Sequence, residues 1–119
     1  MDIKTCKDFL QSICNLVKKN NHINVNLIDI TFYGVHKYSD ENIYKVTFRD
    51  DNKEMTIYVE ESAFKYWGTV PWSGQRNFRP DNWDAWPEDQ KLTLAWCWCI
   101  YMYCIHWNER LDNKPPIIE

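Results

Sequence analysis

The stretch Leu92–Trp107 constrains this chain more than any other feature. Only Thr93 and His106 in it are plainly polar. Such a run predicts a helix that is apolar all round and therefore buried all round. At about 1.5 Å rise per residue it falls somewhat short of the ~20 residues that span a bilayer. The expectation is a core helix over 87–111, with no membrane partner. Pro87 suits its first turn, Glu88 and Asp89 suit the positive end of its dipole, and Asp112-Asn113-Lys114-Pro115-Pro116 ends it. The residues after Pro115 read as a frayed end.

Whatever surrounds that helix comes from the first half of the chain. Ile3, Cys6, Leu10, Ile13 and Val17 recur at spacings of three and four, which predicts an amphipathic helix over 3–19. Lys18 and Lys19 favour its negative end, and Asn20-Asn21 stop it. From 23 to 35 the apolar parity switches: Ile23, Val25 and Leu27 alternate, then Ile28, Ile30 and Phe32. That pattern predicts a strand with a bulge or break near Leu27. Residues 43–49 and 55–59 alternate cleanly about the turn Asp50-Asp51-Asn52-Lys53, so they form a hairpin. The fold class expected is α+β, a single domain over 1–119 in the order α-β-β-β-α. An antiparallel meander over 23–60 packs on a long C-terminal helix.

Residues 61–86 break the pattern. Trp67, Gly68, Pro71, Trp72, Gly74, Phe78, Pro80, Trp83 and Trp86 punctuate a loop of unusual length for a compact domain. Trp, Tyr and Arg are the residue types most enriched at binding hot spots. A partner-binding surface is therefore expected here, with Trp72, Arg76, Phe78 and Arg79 as anchors and Asp81 and Asp84 at the rim. The alternative is a core lid with the indoles folded inward.

Catalytic and metal signatures are weak. Cys97 and Cys104 share a helix face at spacing seven, Cys99 points elsewhere, and none forms the tight Cys-x-x-Cys turn of a zinc site. With Cys6 and Cys14 they read as small core residues. No pattern ties His22, His36 or His106 to a thiol, and the three glycines form no phosphate cradle. The clusters Asp50-Asp51-Glu54, Glu60-Glu61 and Asp81-Asp84-Glu88-Asp89 read as solvated turns or as acidic surface for a basic partner. No cofactor, no metal and no enzymatic activity are expected. A net charge of −3 argues against direct nucleic-acid binding. Met1-Asp2-Ile3-Lys4 opens no apolar leader, and with an odd count of five cysteines a reduced, cytoplasmic protein is expected.

Small size, acidity, an Asn-, Lys- and Ile-rich composition and abundant aromatics together give the chain a type. In type it resembles small proteins of phages and mobile elements that block bacterial defence systems, such as anti-CRISPR proteins. The resemblance implies an inhibitor that acts by stoichiometric binding to a protein target, a bacterial nuclease or effector complex. It rests on no shared motif and assigns no residue a role. A toxin-neutralising immunity protein fits the same profile, as does a small-molecule binder of nucleotide type that would stack its ligand on the loop's aromatics.

Overall fold

Helix α1 spans Ile3–Asn21. Asp2 caps it: its carboxylate accepts from the Lys4 N–H at 3.0 Å and from the Thr5 hydroxyl at 2.9 Å. At the other end His22 takes the left-handed conformation (φ 57°) and its N–H reaches the Lys18 carbonyl at 3.0 Å. The helix thus runs two residues past the expected end, through the Asn pair, with a histidine supplying the closing geometry that usually falls to Gly or Asn. Cys6, Leu10, Ile13, Cys14 and Val17 form its buried stripe. The structure, a computed structural model, describes residues 2–71, 79–106 and 114–119.

Three strands follow: β1 Asn26–Val35, β2 Asn42–Arg49 and β3 Glu54–Glu60. They pair antiparallel in the order β1-β2-β3. The parity switch in β1 is a bulge: the register steps from Leu27↔Phe48 to Asp29↔Thr47, so Ile28 is the extra residue. A second step leaves out Tyr33 between Phe32 and Gly34. The β2–β3 turn is held by the buried Asp50 carboxylate, which accepts from the Asn52 and Lys53 N–H groups at 2.8 and 2.9 Å. Lys53 in turn donates its ammonium to the Cys104 carbonyl near the end of the last helix.

One face of the sheet carries Ile30, Tyr44, Val46, Phe48, Met55, Ile57 and Val59 into a single core cluster with the stripe of α1. The third contributor is α2, Glu88–His106. Trp96 is fully buried there, stacks on Phe64 at 5.7 Å and donates its indole N–H to the Ala63 carbonyl at 2.8 Å. The α-β-β-β-α order and single core of the expected fold are therefore observed, and among the described residues no helix is long and apolar enough to cross a membrane.

Two expectations are corrected. The helix is not buried all round. Ala95, Trp96, Cys99, Ile100, Tyr103 and Cys104 face inward, but Leu94, Cys97, Trp98 and Tyr101 are half-buried and Ile105 is 45% exposed. One sheet face and one helix cannot enclose a third element on every side. The tail is not frayed either. His36 bridges antiparallel to Ile117, Lys37 donates to Pro116 O at 2.9 Å and Ile118 to Val35 O at 2.9 Å. Gly34 makes this possible, because a Cβ there would lie 2.9 Å from the Ile117 side chain.

Candidate functional site

Between β3 and α2 the described backbone folds as short 3-10 turns at Glu61–Phe64, Trp67–Thr69 and Trp83–Ala85. They bring two indoles together: Trp67 and Trp83 meet edge to face at 5.3 Å. Two cations lie against both rings. The Arg79 guanidinium is 4.9 Å from the Trp67 centroid and 5.6 Å from that of Trp83. The Lys91 ammonium is 5.7 and 6.0 Å from the same rings. Lys91 is only 7% exposed, and its ammonium reaches the Asp84 carbonyl at 3.4 Å and the Glu88 carboxylate at 3.6 Å. Its charge is thus neutralised by a carbonyl, a carboxylate and two ring faces, as a buried ammonium requires.

The expected anchors divide accordingly. Trp72, Arg76 and Phe78 lie outside the described residues. Arg79 is half-buried against the indoles, so it belongs to the lid side of the alternative drawn from sequence. Asp81 and Asp84 are exposed. Trp83 is 5% exposed and Trp67 packs against the main core, while Trp86 joins Trp83 at 5.7 Å and donates to Asn82 Oδ1 at 3.0 Å. Because Arg79 and Lys91 turn inward, the solvent side of this corner keeps the carboxylates of Asp81, Asp84, Glu88 and Asp89.

Beside that rim runs a groove the sequence did not indicate. Leu94, Cys97, Trp98 and Tyr101 of α2 form its wall, and Leu16, Asn20 and Asn21 of α1 form the other side. Two depressions of about 190 and 320 Å³ share Asn20, Leu94 and Cys97, and the larger one is closed by Trp86, Asp89 and Gln90. Trp98 and Tyr101 meet edge to face at 5.5 Å on its wall.

The titratable groups lie elsewhere. Glu41 and Glu60 share a side-chain hydrogen bond, which holds Glu60 above the ordinary carboxyl range, helped by burial, and Glu41 below it, helped by the Ser62 N–H at 3.0 Å. The His36 Nε2 stands 4.0 Å from Glu60, while its Nδ1 accepts from the Tyr38 and Ser39 N–H groups at 3.1 and 3.3 Å. This pair ties the β1–β2 connection to the end of β3, and neither carboxyl lines the groove. The thiols are raised by desolvation, Cys14 to about 12 and Cys97 and Cys104 to about 11. They stay protonated at neutral pH and are poor nucleophiles and poor metal ligands. Among the described residues no group of three His, Cys, Asp or Glu could hold a metal ion. Comparison with protein-family models, curated proteins and solved structures gives no match to this chain.

Proposed function

We propose that this is a non-enzymatic binding protein that acts by stoichiometric association with a protein target. The observation that supports it is the face of α2. A helix that shares the core of a small domain keeps Leu94, Trp98, Tyr101 and Ile105 partly in water, where the core gains little from them. Large apolar side chains held on a rigid element and rimmed by charge are the usual composition of a docking surface. The protonated thiols favour binding over thiol chemistry.

The biological setting we propose is the one its type suggests: an anti-CRISPR-like inhibitor of a bacterial nuclease or effector complex, in the cytoplasm. The test is titration of the purified protein into a CRISPR nuclease complex, with cleavage and native mass spectrometry as readouts. Inhibition that saturates at a fixed molar ratio, together with a complex of that ratio, is expected. Inhibition at catalytic amounts, with a chemically altered target or guide, would overturn the reading in favour of an enzyme.

A further inference from the structure

We infer that the α2 groove receives a basic amphipathic helix of the partner protein, its apolar side on Leu94, Cys97, Trp98 and Tyr101 and its cationic end against Asp89. The inference rests on the binding-protein reading above and names the chemistry of the partner.

Three observations select that occupant. The apolar positions 94, 97, 98, 101 and 105 recur at helical spacing, so the surface is a straight seam. From Asp89 to Tyr101 it runs about 18 Å at 1.5 Å per residue, a little over three turns of a facing helix. The groove is walled by two helices, whose interior backbone groups are already paired within each helix. An extended peptide would find no strand edge there and would lose water from its own amides, whereas a helix arrives with them satisfied. The charge then sets the sign. Arg79 and Lys91 are drawn against Trp67 and Trp83, and the end of the groove near Trp86 carries the exposed carboxylate of Asp89. Such a rim attracts lysine and arginine and speeds their docking. A second copy of the chain is the poorer fit, since none of the described residues lining the two depressions is cationic.

The probes are two synthetic 18-residue helical peptides with the same leucine stripe, one with a lysine polar face and one with a glutamate polar face. Binding to the intact protein is read by fluorescence anisotropy, and oligomeric state by light scattering. The lysine peptide should bind at least about tenfold more tightly than the glutamate peptide at low salt, and lose most of that margin at high salt. Leu94→Ser should weaken it roughly tenfold, and Asp89→Lys should weaken the lysine peptide while improving the glutamate one. Asp89 is exposed, so its variant stays informative if Leu94→Ser folds poorly. Equal binding of both peptides, indifference to both variants, or a dimer that Leu94→Ser disperses would each overturn the inference. A stoichiometric target complex that survives both variants would also overturn it while leaving the binding-protein reading intact. Absence of any target complex, with the peptide results as expected, would do the reverse.

Discussion

At the scale of single residues, two tryptophans show how differently one side chain can serve. Trp96 has every part of its surface used: fully buried, stacked on Phe64 and hydrogen-bonded to Ala63 O. Trp96→Ala should cost about 3–5 kcal/mol, read from chemical denaturation. Trp83 is as well buried, but its indole N–H meets no acceptor among the described residues. Burial of an unsatisfied donor is itself unfavourable, so Trp83→Phe should cost under about 1.5 kcal/mol, because it removes the penalty along with some contact area. A loss as large as that of Trp96→Ala would show that the N–H is satisfied. The Glu41–Glu60 pair gives a pH signature. Glu41 is lowered, so its contribution is lost as pH falls through its folded value. Glu60 is raised, so its contribution is complete below the unfolded value near 4.5 and fades as pH rises through its folded one. Between the two, one proton is shared. Glu60→Gln keeps a donor toward Glu41 at every pH. Its stability should therefore decline less than that of the wild type from mildly acidic to neutral pH, and parallel curves would refute the shared proton.

At the scale of elements, the turn between β2 and β3 does two tasks. Asp50 closes the turn through two backbone N–H groups, and Lys53 reaches across to the last turn of α2. Asp50→Ala leaves two N–H groups without their acceptor in a part-buried site and should cost about 1–3 kcal/mol by thermal or urea unfolding. Asp50→Asn, which retains one acceptor oxygen, should recover part of that. The turn was legible in the sequence because its residues are local: Asp50-Asp51-Asn52-Lys53 sits between two clean alternations. The same is true of the bulge at Ile28, which the parity switch near Leu27 announces. The Glu41–Glu60 pair was not legible, since only the antiparallel register, with Ile43 opposite Glu60, carries one carboxylate to the other. The exposed seam of α2 was missed for another reason. Hydropathy records what a residue prefers, and 92–107 prefers burial throughout, yet how much of it is covered depends on how many neighbours the fold supplies. The inward turn of Arg79 is likewise set by Trp67, a dozen residues earlier. Composition marks the Trp-rich segment as unusual without saying which way its side chains point.

At the scale of the whole molecule, α1, the sheet and α2 share one core, which Ala63 and Val70 also enter, whereas the rest of the described segment from Glu61 to Trp86 is attached differently. Its described turns are single 3-10 turns, each closed by one or two backbone bonds such as Val70 N–H to Trp67 O at 3.2 Å. It is held by Ala63 and Val70 within the core, by Phe64 and Trp67 packed against it and by the cation–aromatic contacts of Arg79 and Lys91. A 3-10 turn has poorer hydrogen-bond geometry than an α-helix and contributes little by itself. The sheet and helices should therefore unfold as one unit, while this segment opens at lower free energy. Native-state hydrogen exchange tests the difference. Amides of Val46, Phe48, Ile57 and Trp96 should exchange only through global unfolding, and those of Val70 and Trp86 several orders of magnitude faster. Weakening the clamp by Lys91→Met, which keeps the stem and removes the ammonium, should speed exchange at Trp86 and leave Val46 unchanged. Equal acceleration at both sites would mean that the clamp belongs to the global unit. Protection of Trp86 equal to that of Trp96 in the wild type would mean that the lid and the core are one cooperative body.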